Sequence, residues 1–192
     1  MMTMPAMRFL LALTLALAAP LALATSPTGP VRYSHAAGST LNFSSSYDGE
    51  SFEGRFAQFT TDIAFDPASA AGRFDVVIQL ASAGTENDER DDTLRGRDFF
   101  NIAAMPQARY QATTFRKLAD GRFVADGTLT LRGVTLPVPL TFRWTPGATP
   151  TLEGTATVKR LAFGVGTGDW DDTEVMPDDV SVTTTLVLQP KA

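Results

Sequence analysis

Apolar and polar residues alternate with a period of two along most of the chain. The clearest runs extend from Phe74 to Leu80, from Val138 to Trp144 and from Val180 to Leu188. Successive side chains of a strand point to opposite faces of a sheet, so this pattern predicts antiparallel strands with one apolar and one solvated face. We expect about eight such strands.

Two dipeptides that contain glycine separate neighbouring strands. Asp120-Gly121 is a strong signal for a tight hairpin turn. Arg132-Gly133 is a weaker signal, because arginine disfavours a positive φ. Both dipeptides predict that the strands on either side of them pair as hairpins.

A polar segment interrupts the alternation and predicts a short helical crossing near residues 86–102. We expect Thr85 to cap the helix, with Asp88 three residues later in the capping pattern. Gly96 is expected to end the helix, and Asp98 to cap a further short turn.

The strand pattern leaves the architecture of the domain open. An all-β chain of this length closes into a barrel or folds as a sandwich, and the alternation fits both. The inward faces carry many aromatic residues. An eight-stranded barrel can be filled by its own side chains or can hold one ligand, and periodicity does not distinguish these cases.

The N-terminal segment has the pattern of a signal peptide. Arg8 precedes a short apolar run that leads to Ala22-x-Ala24. The run is shorter than the ~20 residues that span a bilayer, so we expect cleavage after Ala24 and export to the periplasm, with an uncleaved anchor as the alternative. The expected organisation is a signal peptide over residues 1–24, a flexible lead-in over 25–30 and one β-barrel domain over 31–190.

Composition excludes several classes of function. The chain has no cysteine and one histidine, His35, so thiolate catalysis, disulfides and clusters of histidine or cysteine ligands are excluded. The net charge of −5 leaves no basic stripe for nucleic acid. The acidic run from Asp169 to Asp179 lacks the ligand spacing of a calcium loop. We expect no enzyme activity, no cofactor and no bound metal.

Three motifs together are specific. They are Thr85-x-x-x-Glu89-Arg90-Asp91-x-x-Leu94-Arg95-x-x-Asp98-Phe99-Phe100-Asn101-Ile102, then Gly127-x-Leu129-Thr130-Leu131-x-Gly133-Val134-Thr135-x-Pro137-Val138, and Gly168-x-Trp170. In these motifs the chain resembles the YceI-like family of exported, lipocalin-like proteins associated with polyisoprenoid binding. The resemblance covers nearly all of residues 31–190 and implies an all-β fold, an eight-stranded antiparallel lipocalin-like barrel with the short helical crossing. Many members have histidines where Ser46-Tyr47, Asn87 and Thr93 stand here, so the roles of those histidines do not transfer.

The resemblance implies a periplasmic, non-catalytic protein that holds a long polyisoprenoid lipid in the barrel interior. The lipid would be of the isoprenoid quinone or polyprenyl phosphate type. Each buried CH₂ contributes ~0.8 kcal/mol, so a long tail needs little polar recognition. The residues expected to contact the lipid are Phe43, Phe56, Phe74, Val76, Ile78, Phe99, Phe100, Leu129, Leu140, Phe142, Trp170, Arg90 and Arg95.

Two of these contacts have alternatives. Arg90 and Arg95 are candidates for an anionic head group, or they pair with Glu89, Asp91 or Asp98 and fix the helix.

The whole domain also has an alternative function, a filled-core β-domain that is a structural or accessory partner of a membrane redox protein. That alternative is motivated by the association of similar chains with cytochrome b-type membrane proteins. A monomer and a dimer are both compatible with the sequence.

Overall fold

The structure, a computed structural model, describes residues 31–191. The expected signal peptide and the lead-in over 25–30 lie outside these residues. The described part of the chain has one α-helix, α1 (Asp88–Arg95), and 3₁₀ turns at Leu80–Ser82, Arg160–Phe163 and Gly168–Trp170. Its β-segments are β1 (Arg32–His35), β2 (Thr40–Tyr47), β3 (Glu50–Phe56), β4 (Phe59–Asp66), β5 (Ala71–Gln79), β6 (Ala83–Gly84), β7 (Gln107–Ala112), β8 (Phe115–Lys117), β9 (Phe123–Leu131), β10 (Val134–Thr145), β11 (Thr151–Lys159) and β12 (Asp179–Pro190).

Within residues 31–191 these segments form eight barrel strands, because four of the strands are interrupted. β1 and β2 act as one strand, as do β3 and β4, β5 and β6, and β7 and β8. Each strand pairs antiparallel with the next along the chain, and β12 closes the ring by pairing with both β1 and β2. The eight-stranded antiparallel barrel is confirmed, and the sandwich alternative is excluded.

The alternating residues lie as predicted. Val138, Phe142 and Trp144 of β10 are buried, whereas Pro139 and Arg143 between them are exposed. Leu80, which ends one of the alternating runs, is also buried, but it belongs to the 3₁₀ turn that separates β5 from β6. The inward face of the barrel therefore follows the period of two through most of the chain.

The Arg132-Gly133 turn joins β9 to β10 as predicted. Both residues have a positive φ, 51° for Arg132 and 76° for Gly133, which is the backbone of a tight hairpin turn. Arg132 gains contacts there, since its guanidinium donates hydrogen bonds to the carbonyl oxygens of Arg97 and Phe99. These bonds tie the turn to the segment that follows α1.

Helix α1 begins at a different cap from the one predicted. Asn87 has an extended backbone, and its side-chain oxygen accepts a hydrogen bond from the Arg90 backbone N–H at 2.9 Å. Thr85 instead donates its hydroxyl to the buried carboxylate of Asp91 at 2.7 Å, so the predicted Thr85 cap is wrong. Gly96 ends the helix, as expected.

The predicted turn after the helix is present, but Asp98 does not cap it. The turn is held by backbone bonds, including the one from Phe100 N–H to Leu94 O at 2.9 Å. The carbonyl of Asp98 accepts a bond from the Gly166 N–H at 2.7 Å. The segment therefore packs against the β11–β12 connection and does not extend α1.

An aromatic cluster closes the barrel at the end opposite α1. The ring of Phe65 lies 5.0 Å from that of Phe123, 5.1 Å from that of Phe142 and 5.4 Å from that of Trp144, measured between centroids. These residues lie near the β4–β5, β8–β9 and β10–β11 turns. Such aromatic contacts add to the free energy of apolar burial, so this end forms a solid floor.

Candidate functional site

A cavity of about 540 Å³ occupies the barrel interior above the aromatic floor. Its walls are mainly apolar side chains from the inward faces of the strands. This volume lies within the ~300–1,000 Å³ of ordinary small-molecule sites. The barrel is therefore hollow, which decides the question that periodicity left open.

Eleven of the predicted contact residues line this cavity. They come from the strands, from α1 and from the two segments that follow α1 and β11: Phe43, Phe56, Phe74, Val76, Ile78, Phe99, Phe100, Leu129, Leu140, Trp170 and Arg90.

The structure places Phe142 and Arg95 outside the cavity wall. Phe142 is 1% exposed and stacks on Phe123 within the floor, with ring centroids 5.6 Å apart. Arg95 forms an ion pair with Asp92 at 3.0 Å and donates to the carbonyl of Ala83 at 3.4 Å. Arg95 therefore holds α1 against β6. Its carboxylate partner is Asp92 and not Glu89, Asp91 or Asp98, the three partners considered from the sequence.

The cavity reaches the surface at the α1 end of the barrel. Tyr47 and Glu50 of the β2–β3 hairpin and Glu89 of α1 line the cavity and are exposed. Trp170 completes this mouth, with its ring 5.3 Å from that of Phe99 and 6.0 Å from that of Tyr47. We call this group of residues the mouth.

Sequence analysis missed several wall residues. Several lie on alternating strand faces and were not selected, because alternation does not show how far a residue lies from the floor: Leu41, Thr61, Ile63, Leu152, Ala156, Val158, Val180 and Val182. The inward-facing Tyr110 was also missed. Its hydroxyl donates to the carbonyl of Ala125 at 3.2 Å, and burial raises its pKa well above the usual range.

Arg160 is the main charged residue that sequence analysis did not assign to the cavity wall. Its side chain is 3% exposed, and burial lowers the pKa of the guanidinium. It makes five hydrogen bonds, all to backbone carbonyls of the β11–β12 connection, which belong to Val165, Gly166, Trp170, Met176 and Pro177. No local pattern predicts such bonds, because their acceptors are backbone atoms that any residue type supplies.

Asp91 fixes α1 over the mouth. Its carboxylate is buried and accepts hydrogen bonds from both the backbone N–H of Thr85, at 2.8 Å, and the Thr85 hydroxyl. Bonds from two donors to one ionised carboxylate are among the stronger hydrogen bonds in proteins. The helix is thus attached to the chain at β6 by a buried polar contact as well as by Arg95.

Arg90 has a different environment from Arg95, although both belong to α1. Its guanidinium carbon lies 4.4 Å from the centroid of the Phe52 ring, in the range of a cation–π contact. Among residues 31–191, no carboxylate oxygen lies within 4.0 Å of this guanidinium. Of the two alternatives for Arg90, the pairing with Glu89, Asp91 or Asp98 is therefore wrong.

Two further features of residues 31–191 bear on the class of site. The acidic and histidine side chains in this part of the chain form no group of three or more that could hold a metal ion. None of its helices is long and apolar enough to cross a membrane.

An eight-stranded barrel with a closed floor, an apolar interior and a mouth at the opposite end is the architecture of a lipocalin-like binding protein. Comparison with known families narrows this class. The YceI-like domain matches residues 34–188, and the chain belongs to that family.

Individual relatives agree with this assignment. Burkholderia cenocepacia BcnA is 34% identical, with a TM-score of 0.72 over 79% of this chain and 96% of BcnA. A polyisoprenoid-binding domain from Saccharophagus degradans, implicated in plant cell wall breakdown, shares the fold at 22% identity, with a TM-score of 0.64 over 84% of this chain and 99% of that domain. A UPF0312 protein of Yersinia pestis is 44% identical over 88 residues, and the match spans 45% of each chain, less than half of that relative's length.

Proposed function

We propose that the protein is an exported, periplasmic and non-catalytic binding protein that holds a long polyisoprenoid lipid inside its barrel. The observation that carries this proposal is the apolar cavity of about 540 Å³, which opens at the mouth beside α1. The ligand class comes from the likeness in fold to the Saccharophagus degradans polyisoprenoid-binding domain and from the family to which this chain belongs.

The shape of the cavity sets the direction of binding. The aromatic floor closes one end, so a ligand enters through the mouth with its apolar tail first. Burial of each CH₂ contributes ~0.8 kcal/mol, and a long tail can therefore supply most of the binding free energy. The polar head group then remains at the mouth, beside α1 and Trp170.

The titratable residues of the cavity wall favour binding over catalysis. They are Tyr47, Glu50, Glu89, Arg90, Tyr110 and Arg160. The hydroxyl of Tyr110 is bonded to a backbone carbonyl, and its raised pKa keeps it protonated near neutral pH, so it is not suited to act as a general base. His35 lies outside the wall, where its ring stacks on Phe59 at 4.6 Å.

The cavity also counts against the filled-core alternative. A scaffold barrel of this size can be packed solid by its own side chains, and packed interiors contain few voids larger than a water molecule. Here the floor is packed in that way and the remaining interior is not. A ligand-sized void in an otherwise close-packed barrel is expected of a binding protein.

Mass spectrometry of the protein purified from the periplasm tests the proposal. Native spectra and organic extraction should reveal a bound apolar molecule, and the intact mass should correspond to a chain that begins at Thr25. Delipidated protein should bind a tetraprenyl quinone or tetraprenyl phosphate with one molecule per barrel. Protein that carries no lipid and binds neither probe would contradict lipid binding, and a chain that retains Arg8 would contradict cleavage after Ala24.

A further inference from the structure

Among residues 31–191, two arginines line the cavity, and one of the two is available to a ligand. Every N–H of the Arg160 guanidinium is directed to a backbone carbonyl, so this side chain has no hydrogen-bond donor left. Its role is to shape the β11–β12 connection and to bring one positive charge to the cavity wall. A head group at the mouth cannot take a hydrogen bond from it without breaking one of these contacts.

Arg90 is held in place while its donors stay free. The Phe52 ring supports the guanidinium face, and α1 is fixed by the bond between Asp91 and Thr85. In the described part of the chain the Arg90 side chain has no hydrogen-bond or ion-pair partner, and it is partly buried at the cavity wall. An arginine that is oriented by stacking and has free N–H groups is suited to bind oxygen acceptors.

A second free polar group lies beside Phe52. Ser45 faces Phe52 across the β2–β3 pair and lines the cavity. Its hydroxyl is buried and has no hydrogen-bond partner within residues 31–191. A buried hydroxyl without a partner is unfavourable, and an oxygen atom of a ligand would relieve that cost.

The charges at the mouth disfavour an anionic ligand. Glu50 and Glu89 line the cavity along with Arg90 and Arg160, so the two carboxylates offset the two guanidinium groups. The nearby connection adds the exposed acids Asp169, Asp171, Asp172 and Glu174. A phosphate head would bring about −1.5 to −2 charges to this site, where a single arginine has free donors.

From this arrangement we propose that the head group is uncharged and carries carbonyl oxygens, as in an isoprenoid quinone, and that Arg90 is the residue that recognises it. This inference rests on the proposed lipid-binding function and selects between its two ligand types. A quinone carbonyl accepts hydrogen bonds from Arg90 and adds no charge beside Glu50 and Glu89. The preference between head groups is therefore set by the mouth, while the tail contributes affinity to both.

Binding of three probes with matched tails tests the inference. Tetraprenyl quinone, tetraprenyl phosphate and the headless tetraprenyl hydrocarbon are presented to the delipidated full-length mature protein in neutral detergent micelles. Wild-type protein should bind the quinone at least about tenfold more tightly than either other probe, which corresponds to one hydrogen bond to a charged donor. The quinone affinity should change little between low and high salt, because the ligand has no charge to screen.

Variants on α1 provide the matched comparison. Arg90→Met should lower quinone affinity about tenfold or more and leave the affinity for the hydrocarbon unchanged. Arg95→Met alters an arginine of the same helix outside the cavity and should keep the preference for the quinone. Arg90→Lys is a third variant, which keeps the positive charge without the planar donor group. The melting temperatures of all three variants show whether they are folded.

The outcomes separate this inference from the function on which it rests. Tighter binding of the phosphate, or equal loss of quinone and hydrocarbon in Arg90→Met, would overturn the assignment of the head group while leaving lipid binding intact. Failure of wild-type protein to bind all three probes would overturn lipid binding itself and the head-group assignment with it.

Discussion

The position of Ala156 offers a direct test of the hollow barrel. Ala156 lies on β11 and lines the cavity, whereas Gly154, two residues earlier on the same face, packs against Leu140 and Phe142. A Cβ atom at Gly154 would lie 3.0 Å from Leu140 Cδ1 and 3.4 Å from Phe142 Cβ. On this strand face, an added side chain therefore meets packed neighbours at Gly154 and open space at Ala156.

We expect Ala156→Phe to leave the ligand-free protein at least as stable as wild type. A phenyl ring that enters an apolar void gains burial, and filling such space commonly raises the free energy of unfolding by ~0.5–2 kcal/mol. If the interior were filled, the same change would overpack it and cost ~1–3 kcal/mol. Urea unfolding of delipidated protein distinguishes the two cases by the sign of the change.

The same variant should bind lipid more weakly. The ring occupies the space of about six ligand carbons, and at ~0.8 kcal/mol for each CH₂ the loss is up to about 5 kcal/mol. The tail can shift toward the mouth and recover part of this loss, so we expect affinity to fall at least about tenfold. Quenching of tryptophan fluorescence by tetraprenyl quinone provides the binding curve, since Trp170 stands at the mouth.

Two further variants on β11 serve as controls, one on the outer face of the strand and one at a packed position of the inner face. Thr155→Phe places the same ring on the exposed outer face and should change neither lipid affinity nor stability by more than ~0.5 kcal/mol. Gly154→Ala brings a methyl group to 3.0 Å from Leu140 Cδ1, so it should not stabilise the protein as Ala156→Phe does. A marked loss of apo stability in Ala156→Phe with unchanged lipid affinity would refute the hollow barrel.

Three further predictions concern stability. Arg160→Met should lower the free energy of unfolding by about 3 kcal/mol or more in urea titrations, because five carbonyls lose their donor; an unchanged midpoint would contradict this role. Hydrogen bonds from Arg109 lower the pKa of Asp75, so this carboxylate stabilises the fold above its unfolded pKa of about 4, and the stabilisation is lost as pH falls through the lower folded value. Asp75→Asn should therefore be less stable at pH 7 and show a shallower acid dependence, and parallel acid curves would contradict the assignment. Burial lowers the pKa of His35, so stability should decrease as pH falls below about 6.5 toward the folded pKa, and His35→Gln should lack this decrease when melting is followed across that range.

Much of the fold follows from the sequence, because strand alternation is a local property. Each inward-facing residue of β4 and β10 could be identified from its neighbours, since burial on one face of a strand repeats every two residues. The hairpin at Arg132-Gly133 and the helix end at Gly96 were also predicted from local backbone preferences. Closure into an eight-stranded barrel required the resemblance to a family, because the alternation alone fits a sandwich equally well.

The candidate site depended on tertiary structure. Phe142 and Ile78 have the same sequence pattern, yet Phe142 belongs to the floor and Ile78 to the cavity wall. Alternation defines a side of the sheet, and only the closed barrel determines the depth of a residue along its axis. The roles of Arg90, Arg95 and Arg160 differ for the same reason, because each is set by contacts with groups that the fold brings together: the ring of Phe52, the carbonyl of Ala83 and the carbonyls of a folded connection. Such contacts join segments distant along the chain or backbone atoms common to every residue, so residue type and spacing do not encode them.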